Sequence, residues 1–443
     1  MKIFQRLKFD KYYYPVFIIV VVIVFVIVNS LFNTVELSPQ KGMTTIYYVD
    51  HISQAHQLLI DKFNERYAGQ IHVEAINLPF NKFSTNERKE LLARYLKSKS
   101  DRIDIFAVDQ IWVPRFAKWG VSLDKYFPKE ESGKFLGKAM ESCYYQGSLA
   151  ALPLYLDISV TFARKDLILK QKGGEAWLKE LKGRITWERF LQLNQQMHSP
   201  ESFFSFQAQD YEGLMCFYDE LVASQNASII KNDSIYLVGN PAAKRSLQFL
   251  VDLVNKYHAS PMDVTDFKEN DSFRYFLSNN GAFVRSWPSV FSNDDRVFPG
   301  FGKLKKDIVQ IPSPYFSGQK KVAVFGGWNL MISRNSQKIN EVLKFLKFVT
   351  SPEAQKIMFE NGLYLPISEQ IYSDSLYTTA HPELKFFRDY IQEGVHRPFL
   401  KEYTGISDVL TYYIKAAIKK EMSVDSALVR ATRKINSTHI LLK

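Results

Sequence analysis

Two hydrophobic periods alternate along the first third of this chain. Thr44-Thr45-Ile46-Tyr47-Tyr48-Val49 concentrates β-branched and aromatic residues and predicts a strand. Ser53 can then cap a helix whose apolar residues Ala55, Leu59, Phe63 and Tyr67 share one face, up to a stop near Gly69. Ile71 to Ile76 predicts the next strand. Glu87 to Lys97 predicts a second amphipathic helix, with Leu91, Leu92 and Tyr95 inward. Asp104-Ile105-Phe106-Ala107-Val108-Asp109 predicts a third strand. Strand, helix, strand, helix, strand implies a parallel α/β sheet with right-handed crossovers.

The pattern continues in longer units. Thr186-Trp187 opens a helix, and 213–224 and 241–257 read as amphipathic helices. Gly281 to Trp287 reads as a strand ending at a Trp-Pro corner. Lys320 to Val324 and Leu330 to Ile332 read as two strands. Between them lies Gly326-Gly327, where the missing Cβ atoms permit a sharp turn or a close approach. Trp328 follows at once, so a large ring with one N–H donor stands where a ligand could meet it. Ile339, Val342, Leu343, Leu346 and Val349 recur at helical spacing. Ser351-Pro352-Glu353 starts another helix, and Gly362 is expected to close it.

Ahead of this body, Pro15 to Phe32 is nearly all apolar and approaches the ~20 residues that cross a bilayer. Lys2, Arg6, Lys8 and Lys11 precede it, which places the N-terminus in the cytoplasm. A cleaved signal peptide is the competing reading. The length of the run and the poor cleavage site at Asn29-Ser30-Leu31 favour an uncleaved signal anchor, and no nearby cysteine offers a lipid site. The rest of the chain is then extracytoplasmic. There Cys143 and Cys216 could pair or stand as buried thiols. A hydrophobic content of 46 % argues for a folded body. The net charge of +11 is dispersed without a basic block, which argues against nucleic-acid binding.

Phe325 to Pro366, with Gly-Gly-Trp-Asn, then Ser-Pro-Glu-Ala-Gln, then Gly-x-x-x-Pro, closely resembles a signature of the family 1 extracellular solute-binding proteins. These are the ligand-capturing components of ABC importers, typified by maltose- and trehalose-binding proteins. The resemblance extends from about Thr44 to Asn436. It implies a two-lobed, hinged α/β fold of the type II periplasmic-binding-protein kind, to which the anchor adds one N-terminal transmembrane helix. The expected division is 1–35 leader and anchor, 36–43 linker, 44–155 with 324–350 as lobe one, and 156–323 with 351–443 as lobe two.

The resemblance also implies site residues. Asp109 stands at a strand end, where open α/β sheets place their ligands, and relatives bond sugar hydroxyls there. Tyr155 and Asp157 alternate on the first crossover strand and match sugar-facing positions. Trp287 matches a ligand-stacking tryptophan, although Ser289 stands where many relatives carry an aromatic. Gly327 and Trp328 belong to the signature, and Arg397, before Pro398, matches an arginine that reaches the ligand. Trp112 is expected to pack.

The chain carries no zinc, calcium, nucleophile-elbow or phosphate-loop motif, so neither metal nor cofactor is expected. The implied function is capture of a mono- or oligosaccharide for an ABC permease, at the membrane and facing the periplasm or extracellular side, without catalysis. Two other readings stay open. One is a ligand sensor serving a membrane receptor, and the other is a glycan-cleaving enzyme using Asp109 and Asp157.

Overall fold

The computed structural model describes residues 42–440, except 80–82, 84, 100–101, 198–202, 233 and 293–295. The expected membrane anchor at 1–35 and most of the 36–43 linker lie outside the described residues. Among the described residues, no helix is long and apolar enough to cross a membrane.

The first lobe opens as its hydrophobic pattern dictates. Strand β1 (Thr44–Asp50), helix α1 (Gln54–Arg66), β2 (Ile71–Asn77), α2 (Thr85–Lys97) and β3 (Ile105–Asp109) follow in order, and β1 pairs in parallel with both β2 and β3. The Ser53 side chain caps α1 by accepting from the His56 N–H, and Ala55, Leu59, Ile60 and Phe63 form the buried face. Every residue of β3 is buried, as expected of a central strand covered on both sides.

Strand β4 (Leu152–Ile158) ends the first passage through this lobe. A single residue, Ser159, separates it from β5 (Val160–Arg164), which belongs to another sheet. The second lobe then adds α3 (Trp187–Met197), β6 (Phe204–Ser205), α4 (Glu212–Ser224), α5 (Pro241–Asn255), β7 (Phe283–Ser286) and β8 (Ile308–Ile311). Its sheet runs in the order β8-β5-β7-β6.

The chain returns through β9 (Ala323–Ile332), which pairs antiparallel with β3 on one side and β4 on the other. Here the expectation of two strands around a glycine turn is corrected, because Gly326 and Gly327 lie inside one continuous strand. Their role is close approach. A Cβ on Gly327, whose φ is +121°, would stand 2.6 Å from the Tyr155 carbonyl oxygen.

Helices α6 (Ile339–Val349) and α7 (Pro352–Gly362), strand β10 (Gly394–Val395), and helices α8 (Tyr403–Ile418) and α9 (Val424–Ile440) complete the chain. The first sheet has the order β10-β9-β3-β1-β2, with β4 on the far part of β9. The left-handed residue that ends α7 is Leu363, at φ 51°, not Gly362. Gly362 is still helical and makes room for Tyr364, whose ring would lie 2.4 Å from a Cβ there.

The expected lobe boundary after residue 350 does not follow the packing. Arg66 of α1 pairs with Glu353 of α7 at 2.7 Å, and Gln355 donates to the Leu154 carbonyl of β4 at 2.9 Å. Leu156 and Leu365 exchange backbone hydrogen bonds at 3.1 Å. Helix α7 and its exit therefore sit with the first sheet, whereas α8 packs on α4 and α5 of the second lobe.

One buried carboxylate ties the hinge together. Glu220 of α4 accepts from the Ser159 hydroxyl at the first crossover and, at 3.0 Å, from the Val324 N–H at the second. Ser159 N–H donates to the Val324 carbonyl at 3.0 Å, and Arg285 lies 3.4 Å from the same Glu220 oxygen. Tyr390 adds a further tie, donating to the Ser159 carbonyl and accepting from the Ser313 N–H, both at 3.0 Å.

Candidate functional site

The register of β9 builds the site. Trp328 lies opposite Asp109 of β3 on one side and opposite Tyr155 of β4 on the other. Directly opposed residues of antiparallel strands project from the same face. Asp157, two residues beyond Tyr155, shares that face. Asp109 ends its strand, and Asp50 ends β1 beside it.

These side chains hold one another. The Trp328 ring meets Trp112 edge-on at 5.3 Å, and the Arg88 guanidinium lies over it at 4.3 Å. Arg88 also pairs with Asp50 at 3.3 Å. Asp50 in turn accepts from the Tyr48 hydroxyl at 2.5 Å and the His51 N–H at 2.6 Å. Burial, helped by Arg88, pushes His56 down to about 3 and His51 to about 4, so both rings are neutral at pH 7. Tyr155 and Tyr364 pack at 4.3 Å, with His56 edge-on to each.

A second polar group closes the site from the other lobe. Asp109 Oδ1 accepts from the Ile111 N–H at 3.2 Å and from Arg397 Nη2 at 2.8 Å. Arg397 Nη1 donates to Glu212, in the first turn of α4, at 2.7 Å. Asp157 accepts from its neighbour Ile158 N–H at 3.1 Å. Burial raises its pKa well above the carboxylate range, opposed by that bond and by the Ser289 hydroxyl. Trp287 reaches across from the end of β7, and a Cβ on Gly326 would stand 2.9 Å from its ring. The second-lobe tryptophan therefore rests on the first-lobe strand beside the second crossover.

The sequence profile of the bacterial extracellular solute-binding proteins matches residues 48–356. The chain belongs to this family. Among curated relatives, a probable ABC transporter-binding protein of Deinococcus radiodurans is 25 % identical over 350 residues, covering 78 % of this chain and 82 % of its own. Among solved structures, the maltose-bound MalE3 of T. maritima is 26 % identical with a TM-score of 0.77, covering 89 % of this chain and 100 % of that one. A solute-binding protein of an ABC transporter from Thermotoga lettingae, bound with alpha-D-tagatose, is 20 % identical with a TM-score of 0.74, covering 89 % and 99 %. The two-lobed α/β architecture is therefore that of the extracytoplasmic solute-binding proteins.

In this solute-binding protein the first sheet brings Asp109, Tyr155, Asp157, Gly327 and Trp328 together, and Trp287 faces them from the second lobe. Arg397 stands differently. It is 2 % exposed, and each terminal nitrogen is held by a different carboxylate. Trp112 packs, stacked on Phe116 at 6.1 Å. Cys143 and Cys216 are both buried, and neither forms a disulfide.

Asp50, Arg88, Tyr364 and Glu212 were not singled out from the sequence. Asp50 carried the same signal as Asp109, a carboxylate at the carboxyl end of a parallel strand. Arg88 lies in the helix predicted over Glu87 to Lys97 with no local mark, and Glu212 and Tyr364 gave no local signal either. Only the fold brings them to the site.

Proposed function

We propose that this solute-binding protein captures a carbohydrate between its lobes and delivers it to an ABC permease, without chemical change to the ligand. The observation that carries this reading is the row Asp109–Trp328–Tyr155 across three strands, faced by Trp287 from the other lobe. Sugars present apolar C–H faces and rings of hydroxyls. Aromatic planes bury the former, and carboxyl groups hydrogen-bond the latter, an ionised one through charge-assisted bonds of about 1.5–3 kcal/mol each. Asp109, Tyr155, Asp157, Trp287, Gly327 and Trp328 form the ligand site in this reading. The maltose in the T. maritima relative supports the ligand class. The apolar run at Phe17 to Val28 anchors the protein beside its permease, which raises the effective concentration of loaded receptor there.

A thermal-unfolding screen of the full-length protein against maltose, trehalose and D-tagatose tests this. A binding sugar at 100 times its dissociation constant adds about 2.7 kcal/mol to stability, so at least one sugar is expected to raise the midpoint clearly. No shift with any of them at millimolar concentration counts against carbohydrate capture.

A further inference from the structure

The arginine expected to reach the ligand is instead enclosed, and its enclosure joins three separate parts of the chain. Asp109 ends β3 in the first lobe, Glu212 opens α4 in the second, and Arg397 lies on the segment that runs from β10 back to α8. The guanidinium is planar and rigid, so its two terminal nitrogens fix the carboxylates at 2.8 and 2.7 Å in one geometry. Asp109 uses Oδ1 for both of its bonds. Oδ2 accepts nothing from the described residues, and the side chain keeps 12 % of its surface open. Glu212 has no such free oxygen. Oε1 accepts from Arg397 and, at 2.8 Å, from Tyr403, while Oε2 accepts from Ser407 at 2.6 Å. Tyr403 and Ser407 both lie on α8, so Glu212 is fixed to the second lobe's helical layer.

Resting on the carbohydrate-capture reading, we propose that Glu212 is a positioning residue. Acting through Arg397, it aims Asp109 Oδ2 at the ligand and makes that aim depend on the approach of the lobes. Glu212 does not touch the ligand. When the lobes separate, β3 and α4 move apart and Arg397 cannot hold both carboxylates in this geometry. Asp109 then keeps only its bond from the Ile111 N–H, and its oxygen is held in the correct place from both sides only when the lobes approach. Ligand contact and closure are thereby coupled through one guanidinium.

A double-mutant cycle on maltose affinity tests this, using the full-length protein and isothermal titration. Asp109→Asn removes the charged acceptor and is expected to weaken maltose binding about 100-fold, within the range of one lost charge-assisted bond. Glu212→Gln keeps the shape and one oxygen acceptor but removes the charge, which weakens its hold on Arg397. It is expected to weaken binding about tenfold, as coupled neighbours do. In the Asp109→Asn background, Glu212→Gln is expected to change affinity less than about twofold, because its only route to the ligand is gone. A purely structural role would give the same tenfold loss in both backgrounds, and that additivity overturns the proposal while leaving Asp109 as a ligand acceptor. Unchanged affinity in Asp109→Asn removes Asp109 from the site and the positioning role with it. Failure of the parent protein to bind maltose counts against the maltose-type ligand itself, and against the proposal that rests on it. If Glu212→Gln does not fold, Arg397→Lys, which keeps the charge but loses the fork, carries the same cycle with the same outcomes.

Discussion

Replacing Glu220 with alanine is expected to lower the unfolding free energy by about 3–5 kcal/mol, the cost of removing one partner from a buried ion pair. Glu220 and Arg285 are 3 % and 1 % exposed. Without the carboxylate, the Arg285 charge loses its 3.4 Å partner, and the Val324 N–H and Ser159 hydroxyl lose their acceptor in the interior. All three losses fall at the crossovers that join the lobes, so the variant is also expected to unfold less cooperatively. Urea denaturation followed by circular dichroism measures both effects. A loss below about 1 kcal/mol with an unchanged m-value contradicts this account of the hinge.

Trp328→Ala is expected to cost about 3–5 kcal/mol of stability, the usual loss on truncating a buried aromatic residue to alanine. The ring is only 8 % exposed and packs against Trp112. Arg88, which stacks on it, loses one side of its support beside Asp50. Affinity for maltose is expected to fall at least tenfold in the molecules that still fold, because both the plane and the Arg88–Asp50 arrangement are disturbed. Unfolding free energy and affinity are measured on the same preparation. A loss of several kcal/mol with parental affinity makes Trp328 a core residue and removes it from the site.

The first lobe was readable because its signals are local. Ser53 caps its helix through a contact three residues away, and β1, β2 and β3 each carry their own apolar run. The glycine pair at 326–327 misled for a physical reason. Two residues without Cβ signal either a turn or a close approach, and choosing between them requires the neighbours, here the Trp287 ring and the Tyr155 carbonyl, both far away in sequence. The helix expected to close at Gly362 does end there, although the residue that adopts the left-handed conformation is its neighbour Leu363. The lobe boundary after residue 350 followed chain order, whereas α7 folds back on α1 through Arg66 and Glu353.

The site divides along the same line. Asp109 ends its strand, Trp287 stands at the Trp-Pro corner, Trp328 follows the glycine pair, and Tyr155 and Asp157 alternate on the crossover strand, where sequence pattern and family resemblance both leave marks. Arg88 and Glu212 sit on helices as ordinary charges, and only the tertiary structure shows that one lies over Trp328 and the other holds Arg397. The Arg397 position was visible from Pro398, but its two carboxylate partners were not, because Asp109 and Glu212 lie 288 and 185 residues away along the chain.

The most direct test is a crystal structure of the protein grown with maltose. The expected result is a sugar ring enclosed between Trp287 and Trp328, with a hydroxyl on Asp109 Oδ2 and Arg397 still bridging Asp109 and Glu212. A sugar bound elsewhere on the closed lobes, or one that contacts neither tryptophan, would contradict the account.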